Sequence, residues 1–129
     1  MARDKVNVIF PVLDSSKSVA TADAITAGTV TQANGTELVG AFGGKDNSLQ
    51  ITFDNTASSA KTVTIKAGDI EPNNILGDLS FPVTNSKPCV VLIENPSRFQ
   101  NKDGSLYIDY ESGFTGTVYA VAKHVGLNA

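Results

Sequence analysis

Apolar and polar residues alternate along most of the chain with the two-residue period of β-strands. In SLQITFD (48–54), Leu49, Ile51 and Phe53 fall on one face, and KTVTIKA (61–67) has the same pattern. Such alternation predicts strands with one packed face and one solvent face, as in antiparallel sheets. We therefore predict an all-β fold, a single antiparallel β-sandwich of jelly-roll-like or related Greek-key type. Further alternating segments are DLSFPV (78–83), SLYIDY (105–110) and GTVYAVAKH (116–124).

Turn-forming residues separate these segments at intervals of roughly 10–20 residues, near the spacing expected for a sandwich or barrel. KDG at 102–104 is a hairpin signal, because Asp and Gly tolerate the positive φ of a tight turn. We predict that 97–101 pairs with 105–110 across it, with Phe99 in the core. SVATADAITA (18–27) is the only helix candidate, and its irregular apolar spacing predicts an extended arm or at most one helical turn.

Two segments depart from simple alternation. PCVVLIEN (88–95) is apolar on both faces, which predicts a central strand or a strand covered at an interface. KVNVIFPV (5–12) begins with alternation, and Pro11 then indicates an edge strand or a strand end. We predict one domain over residues 1–129, in which residues 1–27 form an extended N-terminal arm plus the first strand.

Composition and charge exclude several classes of partner. A chain of 129 residues with 41% hydrophobic and 18% charged residues is typical of one soluble domain. The net charge is −3 and the ten basic residues are scattered, which argues against a nucleic-acid partner held through its phosphates. No segment approaches the roughly 20 apolar residues of a membrane span, and no signal peptide is recognisable. We expect synthesis in a cytoplasm and no membrane partner.

The sequence contains no recognisable catalytic or metal-binding motif. Cys89 lies in an apolar run and is interpreted as a buried hydrophobe, and His124, the only histidine, as a surface or interface residue. The acidic loops GGKDNS (43–48) and GDIEPNNILGD (68–78) lack the alternating ligands of a calcium loop. Asp109 and Glu111 share a strand face but are interpreted as ordinary exposed residues. We expect no enzyme activity, no cofactor and no metal.

Aromatic residues give only a weak indication of sugar binding, because the chain has no Trp. Tyr107 and Tyr119 both point away from the predicted packed faces. They would share a solvent-exposed face if their strands pair. We interpret them as a pair that stabilises a sheet or as a contact with a partner subunit.

Three pieces of the sequence cover roughly the last 80 residues: SLQITFDNTASSAKTVTIKAGD (48–69), GDLSFPVTNSKPCVVLIENPSRFQNKDGSLYIDY (77–110) and the closing GTVYAVAKH (116–124). Together they resemble small β-rich proteins of tailed bacteriophages that decorate or cement the capsid. Within the second piece, the residues that match the group's pattern are Glu94, Arg98, Phe99, Asn101, Asp103 and Gly104.

This resemblance implies a virion protein that binds the outside of the head shell, with the major capsid protein as partner. It also implies a homo-oligomer, with a trimer expected because such proteins often occupy three-fold positions. Arg98 is expected to pair with Glu94 or Asp103, or to face a partner. The alternatives are another virion part, such as a head fibre or a tail or baseplate component, and a receptor- or carbohydrate-binding module. Candidate shell contacts are Val8, Phe10, Pro11 and Val12 of the arm, together with Arg98, Tyr107 and Tyr119.

Overall fold

The computed structural model describes residues 2–14, 19–21, 26–41, 48–94 and 96–123. Regular structure in these residues is almost entirely β-strand, with one short 3-10 helix, η1, at Pro96–Phe99. This confirms the all-β prediction. The strands are β1 Asp4–Asn7, β2 Val12–Asp14, β3 Val19–Thr21, β4 Gly28–Thr29, β5 Thr36–Val39, β6 Ser48–Asn55, β7 Lys61–Ile65, β8 Leu79–Val83, β9 Cys89–Ile93, β10 Leu106–Tyr110 and β11 Gly116–Lys123.

Two sheets pack face to face, as predicted for a β-sandwich. Sheet A has the strand order β1-β5-β10-β7-β8, and sheet B has the order β4-β11-β6-β9. β2 and β3 form a separate two-stranded ribbon. Neighbouring strands are antiparallel except β1 and β5, which are parallel. These strand orders do not by themselves establish the jelly-roll connectivity, which stays a prediction.

The core lies between the sheets and contains the side chains that the alternation placed on the packed faces. Phe53 of β6 is fully buried, and its ring centroid lies 6.0 Å from that of Phe81 in β8 and 6.3 Å from that of Tyr110 in β10. Phe53 therefore joins sheet B to sheet A, and burying a side chain of this size stabilises the fold by about 1.5–3 kcal/mol. Beside it, β11 presents the small residues Ala120 and Ala122. Small side chains there leave room for the larger ones of the facing sheet.

The buried polar group of Tyr110 has its own partner. Its hydroxyl lies 2.7 Å from the hydroxyl of Thr36, which is also buried. Burial raises the pKa of Tyr110 well above its ordinary value, with the Thr36 hydrogen bond opposing part of that shift. The phenol is therefore neutral, and the hydrogen bond satisfies a hydroxyl that would otherwise be costly to bury.

The N-terminal segment belongs to the sandwich, so an extended arm is not confirmed for residues 4–9. β1 pairs with β5 in sheet A, and the Val8 N–H donates to the Val39 carbonyl at 3.1 Å. One residue later the chain reaches sheet B, where Ile9 exchanges two 2.9 Å hydrogen bonds with β11. Val6 and Val8 face the core. The alternation that suggested a first strand was correct, and that strand covers one edge of the core.

The predicted hairpin between 97–101 and 105–110 is wrong. The turn itself forms, since the Asn101 N–H donates to the Ser105 carbonyl at 3.1 Å and Gly104 has a φ of 84°. Residues before the turn form η1, however, and β10 pairs with β5 and β7. A turn motif determines only the local backbone conformation, whereas the pairing of strands depends on how the side chains of the whole core pack. Phe99 is buried, as predicted.

Candidate interaction surfaces

Reactive groups do not converge in the described part of the chain. No group of three His, Cys, Asp or Glu side chains there could hold a metal ion. Cys89 is a free, half-buried thiol packed against the core. His124 lies outside the described residues. No helix in the described residues is long and apolar enough to cross a membrane. The outer surfaces of the two sheets and the loops are the remaining candidate sites.

The outer face of sheet A is polar and its side chains are engaged with one another. Arg3 Nη1 lies 2.6 Å from Asp109 Oδ1, and its guanidinium covers the ring of Tyr107 at 4.7 Å from the centroid. The hydroxyls of Thr64 and Ser80 lie 2.8 Å apart. These contacts are those of an ordinary solvent-facing sheet.

A shallow groove of about 380 Å³ crosses this face. Both of its carboxylates already have partners, since Glu111 Oε1 accepts a 2.8 Å hydrogen bond from the Thr62 N–H and Asp109 pairs with Arg3. Because Arg3 also covers Tyr107, that ring is not a free platform for a sugar. The groove therefore gives no support to the carbohydrate-binding alternative. It is lined by Thr62, Thr64, Asp109, Tyr110 and Glu111.

Tyr107 and Tyr119 do not form the pair considered from the sequence. Tyr107 belongs to β10 in sheet A, and Tyr119 belongs to β11 in sheet B. Their outward side chains lie on opposite outer faces of the sandwich. Both are half-exposed, but Arg3 covers the ring of Tyr107. The two residues lie apart because their strands belong to different sheets, and the sequence of either strand alone does not indicate its sheet.

The outer face of sheet B differs from that of sheet A because it exposes large apolar side chains. Val90 and Leu92 of β9 keep 51% and 63% of their surface exposed, and we call these two residues the β9 patch. Among the described strands, β9 lies at the edge of sheet B, so the central position considered for PCVVLIEN is wrong, whereas the alternative of a strand covered at an interface stays open. A strand with apolar residues on both faces and no cover on one of them is unusual for a soluble protein.

The N-terminal contact residues have different environments. Val8 is only 7% exposed, which corrects its assignment as a shell contact, because β1 directs it into the core. Phe10 is 37% exposed, and Pro11 lines a shallow cavity of about 310 Å³ together with Leu92. The side chain of Val12 lies outside the described residues. Phe10 is therefore the exposed member of this set, and Pro11 is half-buried.

The loop between β7 and β8, residues 66–78, exposes two adjacent large apolar side chains. Ile75 is 82% exposed and Leu76 is 73% exposed, and we call this pair the loop tip. Sequence reasoning missed the tip, because it treated GDIEPNNILGD only as a turn and a possible calcium loop. The available signal was a pair of consecutive branched apolar residues inside a segment of turn formers, where solvent exposure is expected.

Hydrogen bonds hold the base of this loop closed. Asp78 accepts from the Lys66 ammonium and from the Ala67 N–H, both at 2.7 Å. The Lys66 hydrogen bond, followed by that of Ala67, lowers the pKa of Asp78. A lowered folded-state pKa means that Asp78 stabilises the loop above the ordinary Asp pKa, and that this contribution is lost as the pH falls through the lowered value.

Arg98 holds the segment that follows the loop tip. Its Nε donates to the Gly77 carbonyl at 2.8 Å, and its Nη2 donates to the Asp78 carbonyl at 2.9 Å and the Leu76 carbonyl at 3.4 Å. The guanidinium also lies over the Phe99 ring, 5.0 Å from its centroid. This corrects the expected pairing of Arg98 with Glu94 or Asp103. Arg98 has a positioning role, and its contacts fix the backbone on which the tip stands.

Two further contacts hold the remainder of the loop. The Asn74 side-chain amide donates to the Gly68 carbonyl at 2.9 Å, and Asp69 Oδ1 accepts from the Lys102 N–H at 2.7 Å. The Gly68 N–H donates to the Arg98 carbonyl at 3.0 Å. The loop therefore has a defined backbone, although its tip contributes almost nothing to the core. This combination is typical of a surface built to contact another molecule.

Replacing Arg98 with alanine should loosen the loop without unfolding the domain. We expect a loss of about 1–2 kcal/mol in the free energy of unfolding, because three partly exposed carbonyls lose a charged donor. Thermolysin, which cleaves before large apolar residues, should cut at the loop tip several times faster. Urea denaturation and timed proteolysis measure the two effects.

The matched control is Arg3→Ala, which removes another half-buried arginine from a different face. It should leave cleavage at the loop tip unchanged. Equal cleavage rates in wild type and Arg98→Ala would show that Arg98 does not hold the loop.

Comparisons with known proteins add no family assignment. No family model matches the chain, and neither the curated proteins nor the solved structures gave a match.

Proposed function

We propose that this protein is a structural component of a bacteriophage virion that binds the outside of the head shell and stabilises it. Its partner is the major capsid protein. The observation that supports this proposal best is the loop tip, where Ile75 and Leu76 are presented to solvent on a backbone held by Arg98 and Asp78. The resemblance in the second half of the sequence supports the same conclusion.

The energetics of the loop tip suit attachment to a preassembled surface. Each tip side chain can contribute about 1.5–3 kcal/mol when its exposed area is fully buried in a partner pocket. A loop whose backbone is already fixed loses little conformational entropy on binding, so more of that gain appears as affinity. Because the contact is apolar, its strength should change little with salt concentration.

Many copies on one shell require only moderate affinity at each site. If two or more loops are linked within an oligomer, the second contact forms at a high effective concentration, and the overall affinity exceeds that of one loop. A β-sandwich with one core and no disulfide is stable enough to remain folded on the shell. No chemical reaction is needed for this role.

The experiment is co-sedimentation of the purified protein with expanded heads that lack it. Binding should saturate at a fixed number of copies per head and should persist in high salt. Saturated heads should also withstand a higher temperature before they open. Failure to bind heads, together with binding to host cells or to a glycan array, would favour the alternative of a tail, fibre or receptor-binding part.

A further inference from the structure

The four outer edges of the two main sheets are not equally protected against pairing with another strand. In sheet A, β1 carries the exposed Lys5 and β8 carries the exposed Pro82. In sheet B, β4 is only two residues long. Lysine, proline and short length are the features by which natural proteins prevent edge pairing.

β9 has none of these features. Its five residues, Cys89–Ile93, are all apolar, and on the side away from β6 no described strand pairs with it. The exposed β9 patch lies on the same strand. An open main-chain edge with apolar side chains beside it is suited to accept a further strand. We propose that β9 pairs antiparallel with β9 of a second copy, so that two sandwiches share one continuous sheet.

Symmetry restricts the register of this pairing. A two-fold axis at Val91 is the arrangement that pairs all five residues, with Val91 opposite itself and Val90 opposite Leu92 of the partner. Both members of that last pair point to the outer face of sheet B, where directly opposed side chains pack against each other. The exposed apolar surface of each β9 patch is then partly covered by the patch of the other copy.

Charge favours a second copy in antiparallel orientation. The exposed Lys87 lies just before β9, and the exposed Glu94 lies just after it. In the two-fold arrangement, Lys87 of each copy lies near Glu94 of the other, at both ends of the shared ladder. A parallel arrangement would instead bring like charges together. The resulting dimer takes the place of the homotrimer that the resemblance implied.

The first test is the oligomeric state of Leu92→Lys, measured by sedimentation velocity beside wild type and Thr62→Lys. Thr62 is an exposed residue on the outer face of sheet A and serves as the matched control. Wild type and Thr62→Lys should sediment as dimers. The dimer dissociation constant of Leu92→Lys should rise about a hundredfold, because a symmetric interface contains each substitution twice.

The second test examines the register, in a Cys89→Ser background. Val90→Cys protein is mixed with Leu92→Cys protein and treated with a bifunctional thiol reagent that spans only directly opposed residues, whose Cβ atoms lie about 4.5–5.5 Å apart. Cross-linking should require the mixture and should be weak in either sample alone. Equal cross-linking in the unmixed samples would contradict this register.

The loop-tip contacts proposed above are separate from this edge, so the two proposals can fail independently. A wild-type protein that is a monomer or a trimer at concentrations up to about 100 µM would overturn the dimer. If the protein is a monomer, the β9 edge would instead be expected to pair with a strand of a different protein. A dimer unaffected by Leu92→Lys would place the interface elsewhere and would equally overturn the proposal.

Discussion

Replacement of both Ile75 and Leu76 with serine is expected to weaken binding to heads about a hundredfold or more. The two side chains are 82% and 73% exposed, so nearly all of their apolar surface is available to be buried in the shell. Losing about 1.5–3 kcal/mol from each corresponds to at least two orders of magnitude in affinity. The free energy of unfolding should change by less than about 0.5 kcal/mol, because neither residue packs in the core.

The matched control is the double variant Ile75→Val/Leu76→Ile, which keeps an apolar tip with a slightly different shape. It should bind heads with an affinity close to that of wild type. Co-sedimentation titrations at low and high salt measure both variants. If the serine variant bound as tightly as wild type, the loop tip would not be the shell contact, and another surface would have to replace it.

Substitution of Gly68 with alanine is expected to be strongly destabilising and to disorganise the loop. A Cβ atom at Gly68 would overlap the carbonyl oxygen of Gln100, and its other near neighbours are also backbone atoms of that residue. Backbone cannot rotate away as a side chain can, so η1 and the loop would have to separate. We expect a loss of about 3 kcal/mol in the free energy of unfolding, near the upper end of the range for overpacking.

A control separates this clash from general effects of adding a methyl group to a glycine. Gly104 has a positive φ of 84°, but a Cβ there would meet no atom within 4 Å. Gly104→Ala should therefore cost only about 1–2 kcal/mol, from its left-handed backbone alone. Urea denaturation of both variants provides the comparison. A Gly68→Ala protein as stable as wild type would mean that the loop is not held against η1 as described.

Local alternation predicted the strands of the core well, because the alternation of buried and exposed side chains is visible in the sequence of each strand. β6 and β7 appear close to where SLQITFD and KTVTIKA predicted them. Pairing was predicted poorly, since it depends on which strands meet across the whole chain. For this reason, the predicted hairpin between 97–101 and 105–110 and the shared face of Tyr107 and Tyr119 were both wrong.

The interaction surfaces were only partly predictable for a related reason. The unusual composition of CVVLI indicated a covered strand, but only the strand order shows that β9 is an edge. Arg98 was recognised as a residue of interest, yet its partners are carbonyls 20–22 positions away in the sequence, which no side-chain pattern reveals. The loop tip becomes a candidate contact only because the structure shows both that its side chains are exposed and that the loop backbone is fixed.

The most direct test of the proposed attachment is a cryo-electron microscopy reconstruction of heads saturated with the protein. We expect density for the sandwich on the outer surface of the shell, with Ile75 and Leu76 inserted at the contact with the major capsid protein. Density that meets the shell through the outer face of sheet A, with the loop tip facing solvent, would contradict it, as would a shell without added density.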